Sequence, residues 1–190
     1  MVTWWWVRHG PTGRRDMNGW TDVPADLSDR DAVARLSRAL PTDAPLISSD
    51  LSRAIATADA IGTGRTRLPH DAGLREINFG AWEARSFADV EAEEPERLRR
   101  YLEDPGDIAP PGGESWNDLY ARVSRTVDAL TGDAGDIVAV AHFGTILTQI
   151  QRASGLSARE TLNHTIDTLS LTRIRRDRSG WHVEEINRSP

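Results

Sequence analysis

Two short apolar segments constrain the fold of this 190-residue chain more than any other feature. Residues 3–7 form a continuous apolar run, and residues 136–141 form a second segment of strand length far along the chain. Apolar runs of this length, without regular alternation of polar residues, are typical of strands that are covered on both faces. They are too short to cross a membrane as a helix, which takes about 20 apolar residues. We therefore expect both segments to be buried strands.

Segments with helical periodicity separate the predicted strands. Val33, Leu36 and Leu40 recur at helical spacing within residues 28–40, and Ser49-Asp50 is predicted to cap a helix that continues to Ile61. Strands that alternate with helices predict an α/β layer fold with a mostly parallel sheet. The length favours one domain over residues 1–190. The remaining predictions are helices over 91–102, 114–130 and 145–153, strands over 45–48 and 65–70, and a C-terminal hairpin of 169–175 and 181–186.

Polar side chains follow the predicted strands at the places where ligands usually bind. In open parallel sheets, ligands bind in the loops beyond the carboxyl ends of the strands. Arg8 and His9 follow the first strand, Arg53 follows the second, and His142 follows the strand over 136–141. Glu76 lies in a further loop-like stretch. We expect the two histidines and two arginines to meet at one edge of the sheet, with a carboxylate nearby.

These residue types suit phosphoryl transfer. A neutral imidazole can attack phosphorus and hold it covalently, which makes His9 a candidate nucleophile. Arg8 and Arg53 offer planar forks for phosphate oxygens, and His142 can donate to an oxygen on which charge develops. A carboxyl such as Glu76 can protonate the leaving oxygen and then take a proton from attacking water.

Five motifs occur in order along the chain: Arg8-His9-Gly10, residues 49–54 (SDLSRA), residues 74–83 (LREINFGAWE), residues 112–115 (GGES) and His142. Together they resemble the histidine phosphatase (phosphoglycerate mutase-like) superfamily, and residues 162–167 resemble the tail of its small cobalamin-pathway α-ribazole phosphatases. The resemblance implies a three-layer α/β/α sandwich. It also implies that His9 carries the phosphoryl group, that Arg8, Arg53 and His142 bind it, and that Glu76 is the proton donor. Such enzymes need neither a metal nor another cofactor.

Alternatives remain for the acid and for the reaction. Glu83 and Glu114 compete with Glu76 as the proton donor, although a capping role explains Glu114-Ser115 equally well. The predicted substrate is a small-molecule phosphate monoester, either α-ribazole phosphate or a broad range of esters. A phosphoglycerate mutase-type phosphoryl transfer and a non-catalytic phosphate-binding module are the alternatives to hydrolysis.

The composition indicates which binding partners and which cellular compartment to expect. The net charge of −6 argues against binding to nucleic acid or to an anionic membrane surface. The chain has no cysteine, which excludes disulfides and thiolate metal sites and fits a reducing cytoplasm. No basic segment precedes the first apolar run, so no signal peptide is predicted. We therefore expect a cytoplasmic enzyme with a small phosphorylated substrate; the sequence predicts no particular oligomeric state.

Overall fold

One five-stranded sheet organises the part of the chain that the computed structural model describes, residues 1–132 and 135–190. Across the sheet, the strands lie in the order β2 (46–48), β3 (136–141), β1 (2–8), β4 (171–177) and β5 (180–188). β1 pairs in parallel with β3, and β3 with β2, whereas β4 runs antiparallel to β1 and forms a hairpin with β5. The predicted α/β class, with a parallel centre and a C-terminal hairpin, is confirmed. The strands are β1 Val2–Arg8, β2 Leu46–Ser48, β3 Asp136–Ala141, β4 Leu171–Asp177 and β5 Gly180–Arg188.

Seven α-helices connect these strands within the described residues, and none of them is long and apolar enough to cross a membrane. Helix α5 (Trp116–Leu130) begins with a reciprocal cap, in which the Ser115 hydroxyl accepts from the Asp118 backbone N–H and the Asp118 carboxylate accepts from the Ser115 backbone N–H. The predicted capping role of this motif is thereby confirmed for Ser115. The helices are α1 Arg30–Ala39, α2 Ser52–Ile61, α3 Phe87–Glu93, α4 Pro95–Glu103, α5 Trp116–Leu130, α6 Phe143–Ser154 and α7 Ala158–Thr161.

Alternating side chains of β1 contribute to two apolar cores. The rings of Trp4 and Trp6 stack with 5.1 Å between their centroids, in the core that includes residues of α5 and α6. Val7 belongs to the other core, which includes residues of α1 and α2. Neighbouring side chains of a strand point to opposite faces of the sheet, so one strand can serve both cores. The helices thus form a layer on each side, which is the expected three-layer sandwich.

Two predicted elements were wrong in part. Residues 65–70 do not form a third strand; Arg67 makes an isolated parallel bridge with Leu46. Pro69 has no backbone N–H with which to extend this pairing. The single helix predicted over 91–102 is instead α3 and α4, because Pro95 is tolerated in the first turn of a helix and not in its interior.

The start of α2 also lies later than predicted. Its N-cap is Leu51, which supplies no side-chain hydrogen bond, and the Ser49 hydroxyl accepts from the Leu51 backbone N–H at 3.3 Å. Ser49-Asp50 therefore forms the turn before the helix rather than its cap. This shift leaves Arg53 in the first turn of α2.

Candidate active site

His9 follows β1 directly, and its backbone N–H donates to the Ala141 oxygen at the end of β3. Its side chain is 6% exposed, and Nδ1 lies 2.7 Å from the Gly10 carbonyl oxygen. A carbonyl oxygen can only accept, so Nδ1 carries the proton. The hydrogen bond therefore selects the tautomer in which Nε2 keeps its lone pair.

The surroundings of His9 keep its ring neutral. Burial is the main cause that lowers its pKa from 6.5 to about 3, and the charges of Arg53 and Arg8 add to the effect. The hydrogen bond to the Gly10 carbonyl opposes it. At neutral pH the imidazole is unprotonated and can act as a nucleophile.

His142 is the N-cap of α6 and lies against His9. The two ring centroids are 5.0 Å apart, with 58° between the ring planes. His142 is fully buried, and neither ring nitrogen has a hydrogen-bond partner in the described part of the chain. Burial is the main cause that lowers its pKa well below the usual value. Electrostatic repulsion from His9 and then from Arg53 lowers the pKa further. Buried polar atoms normally have partners, so His142 has an unused capacity to bind an oxygen atom.

Arg8 is the last residue of β1. Its Nη1 donates to the Ile166 carbonyl oxygen at 2.6 Å, and its guanidinium carbon lies 5.5 Å from the centroid of the Phe143 ring. Its Nε is buried and has no partner among the described residues. A buried donor without a partner is costly, so an anion beside Arg8 would satisfy it.

Arg53 is almost completely buried, with 1% of its surface exposed. Its Nη1 donates to the Thr21 oxygen at 3.0 Å, and its Nη2 donates to the Gly19 oxygen at 2.6 Å and the Asn18 oxygen at 3.4 Å. A guanidinium has five N–H donors, so these three contacts leave two for a ligand. Arg53 therefore holds the loop at residues 18–21 and also supplies positive charge beside the histidines.

Glu76 reaches the same place from the loop before the Gly80–Trp82 turn. Its Oε1 accepts from its neighbour Ile77 N–H at 2.9 Å, and its Oε2 accepts from the Gly144 N–H at 3.0 Å, in the first turn of α6. A Cβ atom on Gly144 would lie 2.5 Å from Glu76 Oε1. A side chain at position 144 would therefore force the Glu76 carboxyl group to move from this position.

The two competing carboxylates are occupied elsewhere. Glu83 accepts from the backbone N–H groups of Gly19, Trp20, Thr21 and Phe79. These hydrogen bonds stabilise the same loop that Arg53 contacts. The Glu114 carboxylate accepts from two guanidinium nitrogens of Arg122, each at 2.7 Å, and from the Asn78 N–H. Both are structural groups in this arrangement, whereas Glu76 lies with the histidines and arginines.

The charges of the predicted site residues act on one another, as expected for side chains that lie close together. The charges of Arg8 and Arg53 lower the pKa of His9 and of His142. Burial lowers the pKa of both arginines. Among the nearby charges, that of Glu76 does most to raise it again. In the described ranges, no group of three or more histidine, aspartate or glutamate side chains is arranged to hold a metal ion.

Thr57 is a positioning residue that the predicted site did not include. Its hydroxyl accepts from the Gly10 N–H at 2.9 Å and donates to the Arg53 oxygen at 2.8 Å. It thereby joins the turn after His9 to the first turn of α2. The sequence contains a signal for it, because Thr57 lies four residues after Arg53 and residues at that spacing share a helix face.

Comparisons with known proteins agree with this geometry. A sequence model of the histidine phosphatase superfamily (branch 1) matches residues 4–189. Glucosyl-3-phosphoglycerate phosphatase of Mycolicibacterium vanbaalenii is 36% identical over 169 residues, which cover 79% of this chain and 73% of that protein. The crystal structure of α-ribazole phosphatase from Shigella flexneri superposes with a TM-score of 0.84 at 25% identity, covering 99% of this chain and 97% of the other.

A longer relative matches only in part. Bifunctional protein Rv2228c of Mycobacterium tuberculosis is 34% identical over 152 residues, which cover 76% of this chain. The same match spans 39% of the length of that relative.

Proposed function

This chain belongs to the histidine phosphatase superfamily, and from that premise we propose that it is a phosphoric monoester hydrolase in which His9 carries the phosphoryl group. The observation that carries the proposal is the hydrogen bond from His9 Nδ1 to the Gly10 oxygen, because it holds the ring proton on Nδ1 and leaves the lone pair on Nε2. The lowered pKa of His9 keeps that lone pair available at neutral pH.

In the first step, His9 Nε2 attacks phosphorus, an N–P bond forms, and the bond from phosphorus to the ester oxygen breaks. Arg8 and Arg53 neutralise the charge that spreads over the phosphoryl oxygens in the transition state, and the neutral ring of His142 donates a hydrogen bond to one of these oxygens. The unpartnered Nε of Arg8 and the unpartnered nitrogens of His142 support these roles. The leaving oxygen takes a proton from the Glu76 carboxyl group.

In the second step, the Glu76 carboxylate takes a proton from water, and the water oxygen attacks phosphorus. The N–P bond breaks, its electron pair returns to Nε2, and inorganic phosphate leaves. The hydrogen bonds that Glu76 accepts from Ile77 and Gly144 orient its carboxyl group for both proton transfers. Neither step calls for a metal, because the two arginines supply the positive charge, so we propose a metal-independent enzyme.

The substrate is proposed as a small-molecule phosphate monoester. Two relatives are phosphatases of a glucosylated phosphoglycerate and of α-ribazole phosphate, so both esters belong in a substrate screen beside a broad panel. The acidic net charge and the absence of cysteine support a cytoplasmic enzyme without a nucleic-acid partner.

Rapid quenching tests the covalent step. A substrate labelled in its phosphoryl group should leave an acid-labile label on the wild-type protein, and His9→Ala should show neither label nor turnover. His182→Ala, which changes a histidine of the β5 hairpin, is the matched control and should behave as wild type. Label on a residue other than His9 would contradict the proposal.

The same experiment separates the alternatives. A mutase would transfer the label from the protein to a second hydroxyl compound faster than to water. A phosphate-binding module would bind inorganic phosphate, as measured by calorimetry, without any label or turnover. Release of inorganic phosphate at the rate at which the label disappears supports hydrolysis.

A further inference from the structure

An apolar cavity of about 280 Å³ opens beside Glu76. Glu76, Phe143 and Gly144 line it and also belong to the site described above, so the cavity continues directly from the atoms that would protonate the leaving group. If the phosphoryl group of a substrate binds against His9 and its ester oxygen lies beside Glu76, the alcohol part can extend into this cavity.

The lining of this cavity is aromatic and aliphatic. Glu76 is the one charged side chain among the described residues that line it, and no lysine, arginine or histidine is present there. A carboxylate or a second phosphate on the leaving group would therefore find no cation to replace its hydration, which is costly. The apolar lining includes Phe79, Phe87, Tyr101, Leu102, Trp116 and Phe143.

Two of these side chains remain open to solvent. Phe87 is 47% exposed and Leu102 is 50% exposed, and they come from α3 and α4, respectively. Large apolar groups left exposed at the wall of a concave site commonly mark a place where an apolar ligand binds. The volume is about twice that of a cavity of ~150 Å³ known to accept benzene, which corresponds to one or two rings.

We propose that this cavity binds the leaving group of the substrate and that the enzyme prefers phosphate monoesters of uncharged, aromatic or bulky apolar alcohols. The proposal rests on the hydrolase function proposed above and adds the substrate class to it. Burial of the apolar group would contribute to binding both before and during the chemical step, so the preference is expected in kcat/KM.

Two alkyl phosphates with leaving alcohols of similar acidity test the preference. Wild-type kcat/KM for 3-phenylpropyl phosphate should exceed that for propyl phosphate by at least about tenfold, or about 1.4 kcal/mol. Phe87→Arg brings a cation to the cavity and should reduce this ratio below about threefold. Ala88→Arg is the matched control, since it adds the same charge one residue along α3, outside the cavity lining, and should keep the wild-type ratio. Leu102→Arg provides a second variant at an exposed position.

Each other outcome overturns the proposal in a distinguishable way. Equal kcat/KM for the two esters in the wild type would reject the apolar subsite and leave the hydrolase intact. If neither ester nor p-nitrophenyl phosphate is hydrolysed, the proposed function fails, and the subsite fails with it. If the wild type sediments as a dimer that Phe87→Arg dissociates without changing the ratio, the surface is an interface between two copies of the chain.

Discussion

The imidazole rings of His9 and His142 lie 5.0 Å apart although they come from distant parts of the chain. They meet because β1 and β3 are parallel neighbours, so the residues that follow the two strands emerge side by side. Burial lowers the pKa of His142, and the proximity of His9 lowers it further because protons on both rings would repel each other. Two neutral imidazoles in contact provide one nucleophile and one hydrogen-bond donor.

Acid should destabilise the fold through His9. Its pKa is about 3 when folded and 6.5 when exposed, so between these values the unfolded chain binds a proton that the folded protein does not. The free energy of unfolding should therefore fall as the pH drops from 6.5 towards 3, by up to about 1.4 kcal/mol per pH unit from this residue. Urea unfolding across that window should show a smaller slope for His9→Asn than for wild type. The same slope in both proteins would contradict the buried neutral state, and His182→Asn provides the control.

Replacement of His142 should affect catalysis more than stability. In the described chain its two ring nitrogens have no partners, so His142→Asn removes no internal hydrogen bond. Turnover should fall by about 100-fold or more, as expected when a transition-state donor is lost, with a melting temperature lowered by only a few degrees, about the effect of 1 kcal/mol. Unfolding of the variant at ambient temperature would assign His142 a structural role instead.

Removal of the Arg53 side chain should reduce the stability of the fold more than removal of the Arg8 side chain. Arg53→Ala leaves the buried oxygen of Gly19 and the partly buried oxygen of Thr21 without their donor, so it should lower both turnover and the free energy of unfolding, the latter by about 2–4 kcal/mol. Arg8→Ala removes one hydrogen bond, to Ile166, and the packing of the guanidinium against the Phe143 ring, and should lower turnover with a smaller loss of stability. Denaturant unfolding and steady-state kinetics on both variants check this. Equal stability losses would contradict the assignment of the loop-holding role to Arg53.

Glu76→Gln should slow the reaction according to the leaving group. An alkyl oxygen needs a proton to depart, whereas an acidic phenol leaves without one, so the variant should lose far more activity on alkyl than on aryl phosphates. The variant also lacks the base for the second step, so an acid-labile phosphohistidine should accumulate during aryl phosphate turnover. Rapid quenching with both substrate types measures the two effects.

Glu83→Gln and Glu114→Gln are the matched controls for Glu76→Gln. Glu83 accepts from four backbone N–H groups and Glu114 accepts from Arg122, so their variants should lose stability and should slow alkyl and aryl esters equally. A leaving-group effect in Glu83→Gln with none in Glu76→Gln would transfer the acid role to Glu83.

Removal of metal ions should leave the activity intact. The guanidinium groups of Arg8 and Arg53 provide the charge that a metal would otherwise supply to the phosphoryl oxygens. Dialysis against a strong chelator should not change turnover, and vanadate should inhibit as a mimic of the five-coordinate transition state. Activity that disappears with the chelator and returns with a divalent ion would contradict the metal-independent mechanism.

Much of the fold and of the site could be predicted from local sequence. Buried strands need apolar residues, and the residues that directly follow a parallel strand emerge at one edge of the sheet. For that reason the positions of Arg8, His9 and His142 could be inferred without coordinates. Local signals can also be misread: Pro95 already marks the break between α3 and α4, and Pro69 already limits strand pairing at residues 65–70.

The sequence alone determined which residue types reach the carboxyl edge of the sheet; only the tertiary structure decided how they are used there. Glu76, Glu83 and Glu114 have the same chemistry, and they differ in the distant groups that they accept from. Those partners, such as Gly144 for Glu76 and Trp20 for Glu83, depend on how loops pack against one another. The carbonyl contacts of Arg53 and the apolar cavity beside Glu76 also depend on this packing. The sequence specifies the chemistry of each side chain. The burial and hydrogen-bond partners of that side chain depend on contacts between residues that lie far apart along the chain.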